Sequence, residues 1–417
     1  MSKFIMAEEN NRIISGEDKI FGINKKAKEM IEEIGKDNVA NATIGSLLDD
    51  ESNLVVLSSV VDVLKDLSPV DYAEYAPIAG VPSFLEASVK AVFMDHIPSC
   101  YVETIATPGG TGAIHNTIQN YTRPGDTVLT SDWHWSPYGT IAQEIGRKLE
   151  TYPLFDENYK FNHQGFAAKV KELLSKEDRL VIIINTPAHN PTGYSLTLED
   201  WDHVLALLTS AAEDKAKKII LLVDAAYLDF AGDAKEFRAF LPKLETLPDN
   251  LLPLIAYSMS KSYTLYGMRG GALICLSQSK AITEEFKKVN TFTNRGTWSN
   301  GTRCAMVTLS RIFENKDLFD KVMAEREEAL QLLADRGNAF MKAAGEAGLI
   351  TCPFTLGFFV IVPCDHCDEV GEELQKEGIF TVPFGGRGLR VSIASISEKW
   401  CSILPAKMAA AIKKVNG

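Results

Sequence analysis

Apolar residues in the middle of the chain fall into short unbroken runs, separated by stretches with helical spacing. Val181-Ile182-Ile183-Ile184 and Ile219-Ile220-Leu221-Leu222-Val223 show no alternation with polar positions, the pattern of strands covered on both faces. With further β-rich runs at 101–106, 127–130, 254–257 and 271–276, they predict a mainly parallel sheet. Helical periodicity over 166–174 and 198–212 supplies covering layers, so the centre of the chain reads as an α/β layered domain. The pattern changes after residue 310. A long helix with acidic and basic residues interspersed is predicted over 317–347. Strands at 357–362, 379–382 and 389–393 follow, then a closing helix over 397–415. At the other end, residues up to about 20 are polar and aperiodic and read as an arm. A helical pattern covers 21–34, and an extended segment covers 38–48. The predicted organisation is an N-terminal arm with part of a small domain (1–54), a large domain (55–328) and a C-terminal small domain (329–417).

Composition narrows the function classes. A net charge of −12 argues against a general nucleic-acid or anionic-membrane surface, so an anionic ligand would have to be met by a few placed arginines. Seven cysteines, an odd number, suggest free thiols in a reducing compartment. Neither a basic-then-apolar leader nor an 18-residue apolar run stands in the sequence, and the expected location is cytoplasmic. Cys364-Asp365-His366-Cys367 has no second Cys/His pair at zinc spacing, so no metal site is expected.

Four short motifs carry candidate chemistry. Gly109-Gly110-Thr111-Gly112 follows a strand and opens a helix, where backbone N–H groups and the helix terminus suit a phosphate, although a plain glycine turn has the same look. His189-Asn190-Pro191-Thr192-Gly193 is strong turn chemistry; it also places Asn190 at a strand's C-terminal end, where open α/β sheets bind ligands. Asp224 closes a buried strand in Val223-Asp224-Ala225-Ala226-Tyr227. It is either a helix N-cap or a carboxylate paired with a cationic ring, with Tyr227 donating to the same ring. In Ser258-Met259-Ser260-Lys261, followed eight residues later by Arg269, a lysine ends an apolar run beside hydroxyls and a fixed cation. Such a lysine sits in an ordinary turn, or it is used chemically against a phosphate-bearing aldehyde.

The order of these motifs resembles the fold-type I pyridoxal-phosphate enzymes, and within them the aspartate/aromatic aminotransferase family, from about residue 41 to the C-terminal helix. That resemblance implies a large domain with a mainly parallel seven-stranded sheet between helices, and a smaller α/β domain. It implies pyridoxal 5'-phosphate as cofactor, with Lys261 forming the Schiff base to its aldehyde. Ser258, Arg269, Gly109, Gly110 and Thr111 would take the phosphate. Asp224 would pair with the ring nitrogen, and Tyr227 and Asn190 would bond the ring oxygen. Trp133 resembles the aromatic residue that stacks on the ring, with Trp135 standing close enough to be the match instead. Tyr75, in Glu74-Tyr75-Ala76-Pro77, is similar to the tyrosine that reaches the phosphate of a neighbouring subunit.

The resemblance also addresses the substrate. Thr43-Ile44-Gly45 resembles the small-domain strand over the substrate, and Arg390 in Leu389-Arg390-Val391-Ser392-Ile393 the residue that holds its α-carboxylate. Arg295, in Arg295-Gly296-Thr297-Trp298-Ser299-Asn300, resembles an arginine that crosses a dimer interface to a distal carboxylate; on its own it also reads as a surface-helix residue. The family's tyrosine is replaced by Trp298, and Gly301-Thr302 stands where two prolines are common. The implied reaction is ping-pong transamination between an L-amino acid, aspartate or aromatic, and 2-oxoglutarate in a homodimer with shared sites. A pyridoxal-phosphate lyase or decarboxylase is the alternative on the same scaffold. A regulator's sensory module would need a DNA-binding domain ahead of the matched region, where only about 40 residues stand.

Overall fold

A computed structural model describes residues 5–8, 10, 12 and 19–417. The expected polar arm lies mostly outside the described residues. The first helix, Lys19–Ile34, covers the predicted 21–34.

The central sheet has seven strands: Tyr101–Pro108, Thr127–Ser131, Lys148–Tyr152, Arg179–Asn185, Lys218–Asp224, Leu251–Ser258 and Gly270–Ser277. Val181 to Ile184 and Ile219 to Val223 are at most 4% exposed, which is why these runs carry no polar alternation. Each such side chain contributes roughly 1.5–3 kcal/mol of burial free energy. Lys148–Tyr152 has no counterpart among the runs read from the sequence. It is an edge strand pairing only with Thr127–Ser131, and four of its five residues keep some solvent contact, so Lys148 and Glu150 hide it from a search for apolar runs.

Strand direction decides where chemistry gathers. Gly270–Ser277 runs antiparallel to both neighbours, and the other pairings in the sheet are parallel. The strands ending at Pro108, Ser131, Asn185, Asp224 and Ser258 therefore finish on one edge of the sheet. The reversed strand starts on that same edge, immediately after Arg269.

A second body packs on the first. Val382–Phe384, Gly388–Ser392 and Phe359–Pro363 form an antiparallel sheet, while Ala40–Asn41 pairs in parallel with Ile379–Phe380. The strand predicted at 379–382 is thus two pieces in different sheets. The extended segment 38–48 contributes only two residues to a ladder. Its backbone is satisfied otherwise: Ala42 O accepts Ser392 N at 3.0 Å and Ile44 O accepts Ser392 Oγ at 2.8 Å.

Helix Lys316–Glu346 joins the bodies. Val322 lies in the core under the large sheet, whereas Ala329, Leu333 and Phe340 lie in the core of the smaller one. From this helix the fully buried Arg336 binds Asp50 Oδ1 at 2.7 Å and donates to Leu48 O and Ala394 O. That satisfies a charge burial would otherwise make costly, and it fixes the N-terminal segment against the C-terminal domain. Among the described residues no helix is long and apolar enough to cross a membrane, and all seven cysteines are free thiols.

Candidate active site

At the shared sheet edge lies a cavity of about 240 Å³ lined by Gly110, Thr111, Trp135, Asn190, Asp224, Tyr227, Ser258, Ser260, Lys261 and Arg269, among others. Sequence positions spread over 160 residues meet here because the strands that carry them are neighbours or share one direction.

One end of the cavity is built for an anion. Helix Gly109–Tyr121 begins there, presenting unpaired N–H groups and the positive end of its dipole. Gly109 has φ of +66°, and a Cβ on it would lie 2.6 Å from Arg269 Nη2, so this glycine is what lets the guanidinium close on the helix terminus. Arg269 donates from Nη1 to Ser260 Oγ (3.1 Å) and Tyr266 O (2.9 Å), which aims it along the same wall. Ser258 ends its strand and caps the short helix Met259–Ser262, its Oγ accepting Ser260 N at 3.2 Å. That turn presents Lys261.

Lys261 has its ammonium 5.2 Å from the centre of the Tyr227 ring and 5.8 Å from that of Tyr266. Burial lowers its pKa to about 8; the Asp224 charge works against that shift and the Arg269 charge assists it. A lysine so placed is a neutral amine about a tenth of the time at pH 7, far more often than an ordinary lysine, and that is the form that attacks an aldehyde. Reductive trapping of pyridoxal 5'-phosphate by the apo-protein should rise with pH through a midpoint near 8. Because the Asp224 charge holds that value up, Asp224→Asn should move the midpoint lower. A midpoint at the ordinary lysine value of 10.5 would contradict this environment.

Asp224 is 4% exposed and is no helix N-cap, since a short 3-10 turn, Leu228–Phe230, follows it. Burial raises its pKa, opposed by the hydrogen bond from Tyr138, the N–H of Ala226 (3.2 Å to Oδ1) and the Lys261 charge. Tyr138 Oη donates to Asp224 Oδ2 from helix Pro137–Glu144, and its own burial raises the phenol so that it remains a neutral donor. Asn185 links two walls of the cavity: its Nδ2 donates to Asp224 O at 2.8 Å and its Oδ1 accepts Asn190 N at 2.7 Å. Asn190 Nδ2 donates to Tyr227 Oη at 3.2 Å, while Asn190 Oδ1 is buried with no partner. An orphaned polar atom at the wall of a cavity asks for a ligand.

Sequence reading did not single out Tyr138, Asn185 or Tyr266, and it quoted Ser260 only as a hydroxyl beside Lys261. Tyr138 stands 86 residues from Asp224 and is recognisable only as a buried phenol needing a partner, a fact burial alone discloses.

The remaining candidates lie around this centre. Trp135, not Trp133, borders the cavity. Trp133 stacks instead on Phe384 of the smaller sheet, with its ring centre 3.8 Å from the Arg387 guanidinium carbon. Both tryptophans follow the same strand, and only the path of the loop tells them apart. Arg390 is 5% exposed, donates to Thr43 O at 2.7 Å and stacks over Phe359 at 4.6 Å. A Cβ on Gly45 would lie 2.4 Å from that same phenylalanine ring. Arg295, on the last turn of helix Lys280–Thr297, is exposed and donates to Ser299 Oγ at 2.8 Å. Tyr75 is 83% exposed. None of Gly45, Arg390, Arg295 and Tyr75 lines the cavity of this chain, although the Arg390 charge acts on Tyr227 in its wall.

Comparison with known proteins agrees with this geometry. Residues 37–405 match the model of the family described as aminotransferase class I and II. The aromatic-amino-acid aminotransferase of Paracoccus denitrificans is 30% identical over 258 residues, which is 61% of this chain and 62% of that protein. The mitochondrial aspartate aminotransferase of Schizosaccharomyces pombe is 28% identical over 310 residues, 70% of this chain and 66% of that one. The match thus spans just under two thirds of either relative. A crystal structure of an aminotransferase from Anaerococcus prevotii superposes with a TM-score of 0.96 at 38% identity, covering 98% of this chain and all of that one. At 22% identity, an aromatic-amino-acid aminotransferase structure from Burkholderia pseudomallei, covalently bound to pyridoxal phosphate, shares the fold with a TM-score of 0.79; it covers 99% of this chain and 100% of that one. With a family match over nearly the whole sequence and a fold that assembles the lysine, aspartate and anion cradle at one sheet edge, the chain belongs to the aminotransferase class I and II family of pyridoxal-phosphate-dependent proteins.

Proposed function

We propose that this chain transfers the amino group of an L-amino acid, aspartate or aromatic, to 2-oxoglutarate by a ping-pong route. The observation that carries the reading is the single cavity in which Lys261, Asp224 and the Gly110–Ser258–Arg269 cradle converge. Pyridoxal 5'-phosphate fits this donor set: the cradle suits its phosphate, Asp224 its protonated ring nitrogen, Lys261 its aldehyde, and the adjacent Asn190 amide N–H and Tyr227 hydroxyl its ring oxygen. When bound, the cofactor supplies a carbonyl that bonds the substrate amine and a ring that accepts the electron pair left at Cα.

The protein's own residues do the rest. Lys261 Nζ would hold the cofactor's aldehyde at rest and, once free, would take the proton from the substrate's Cα; an amine with a pKa of about 8 suits both taking up and giving back a proton near neutral pH. Asp224, steadied by Tyr138 and Ala226 N–H, would accept the hydrogen of the protonated ring nitrogen and so favour the form of the ring that draws electrons. Trp135 lines the cavity and is the aromatic residue placed to pack against the cofactor ring. Arg390, oriented by Thr43 O and the Phe359 ring, would bind the α-carboxylate of amino and oxo acid alike, holding the Cα–H bond toward Lys261.

Arg295 and Tyr75 would serve the cavity of a second copy of the chain, so the reading includes a homodimer with shared sites. The Arg295→Leu variant should lose about 100-fold in kcat/KM for aspartate while the value for phenylalanine changes by less than about 3-fold, the size expected for one lost charge-assisted pair. Equal losses for both substrates would show that Arg295 does not read a distal carboxylate. The whole reading is tested by a donor–acceptor screen of the purified protein with aspartate, phenylalanine, kynurenine and alanine against 2-oxoglutarate. Formation of 2-oxo acid only when an acceptor is supplied supports it. Ammonia or carbon dioxide released without an acceptor would place the chain among lyases or decarboxylases instead.

A further inference from the structure

Trp133, left outside the cavity, takes part in a contact that none of the preceding roles uses. The turn Gly385-Gly386-Arg387 joins the strands Val382–Phe384 and Gly388–Ser392 and lies against the loop that follows Ser131. Asp132 in that loop is held firmly. Its N–H donates to Tyr152 O at 2.8 Å, and its Oδ1 accepts both Trp133 N (2.9 Å) and Leu154 N (2.8 Å). Its other oxygen, Oδ2, takes Arg387 Nη1 at 2.6 Å. The same guanidinium sits over Trp133, its carbon 3.8 Å from the ring centre, and both ends of the turn close on that ring: Phe384 stacks on it at 5.7 Å, and a Cβ on Gly388 would lie 3.1 Å from its Cη2. Arg387 therefore meets a charge and an aromatic face in one rigid geometry, which an ammonium could not reproduce.

Arg390 stands three residues further along the strand that leaves this turn. That strand is hydrogen-bonded on both sides, to Phe359–Pro363 and to Val382–Phe384, and so moves as one piece with the turn. On the other side of the contact, Trp133 is two residues from Trp135, which lines the cavity. We propose that Arg387, clamped between Asp132 and Trp133, is a positioning residue that sets where Arg390 meets the substrate's carboxylate relative to the cofactor cavity. The proposal rests on the reading of Arg390 as the α-carboxylate ligand. As an ion pair alone, with side chains 38% and 23% exposed, Arg387–Asp132 would contribute little to stability. Its effect is on placement, and it should appear in substrate binding rather than in folding.

The test uses the full chain loaded with cofactor, with aspartate, phenylalanine and 2-oxoglutarate as probes. Arg387→Met should raise KM about 10-fold for amino acids and 2-oxoglutarate alike, since all carry the α-carboxylate, with kcat changed by less than about 3-fold and pyridoxal 5'-phosphate affinity by less than about 2-fold. Asp132→Asn should give the same KM rise, and the double variant should be no worse than either single one, the mark of a shared interaction. Arg387→Lys, which keeps the charge but not the plane, should fall between. In apo-protein, hydrogen exchange should quicken over 382–392 in Arg387→Met while strand Lys218–Asp224 stays protected; this readout needs no turnover. Unchanged KM in both single variants overturns the proposal, as do additive effects or a KM rise that tracks lost cofactor. Wild-type protein that transaminates none of the probes would overturn the function reading itself, and unaltered exchange over 382–392 would separately refute the clamp.

Discussion

Lys261→Ala should abolish the visible absorbance of lysine-linked cofactor and lower turnover by up to about 10⁴-fold. The effect is large because one side chain is asked to do two things. In the proposed reaction it would hold the aldehyde before substrate arrives and carry the proton afterwards, and the residues lining the cavity include no other amine to take over either task. The surroundings reinforce the dependence. Burial lowers the lysine's pKa to about 8, so the neutral form is available without a separate base. An added small amine should restore part of the turnover, because the proton-transfer role needs a base at that point rather than a tether. Absorption spectra and single-turnover kinetics of the purified variant check the prediction. A retained lysine-type band with normal turnover would remove Lys261 from the site.

Asp224→Ala should be the second most damaging change, lowering kcat by about 10³-fold, in the range seen when a placed electrostatic group is removed. The buried carboxylate is held in position by Tyr138 Oη and Ala226 N–H at the end of an apolar strand, where its charge acts through little water. Its loss also leaves the Tyr138 hydroxyl buried without its acceptor, so folding stability should fall by about 1–3 kcal/mol. The two consequences separate experimentally. Thermal unfolding of the apo-protein reports the structural part, and kcat at saturating cofactor reports the chemical part. If kcat recovers fully once cofactor is saturating, Asp224 contributes to binding only and the proposed electronic role is lost.

Much of this site was legible in the residues themselves, for a physical reason. Glycine before a helix, Asn-Pro-Thr-Gly, an aspartate at a strand end and a lysine beside hydroxyls are each local solutions to backbone or burial problems, and such solutions are written in consecutive residues. The fold class was legible on the same grounds, since short β-branched runs such as Val181–Ile184, bounded by turn residues, fit a doubly covered sheet. The edge strand Lys148–Tyr152 escaped because half-exposed strands need no apolar run, and 379–382 was read as one strand because a switch between sheets at Thr381 leaves no mark on hydrophobicity.

Other features were decided by the tertiary structure alone. That Trp135 borders the cavity while Trp133 lies beneath Arg387 depends on a loop path within a few residues of identical character. That Tyr138 serves Asp224 depends on strand order, which brings together helices and strand ends from separate βα units. What consecutive residues could carry was an inventory of groups in an α/β frame: a lysine, a carboxylate, glycines and hydroxyls before a helix, and a few arginines. Which side chains face one another was settled by folding, because contacts between distant segments follow from sheet order and packing, and these are properties of the whole chain rather than of any stretch within it.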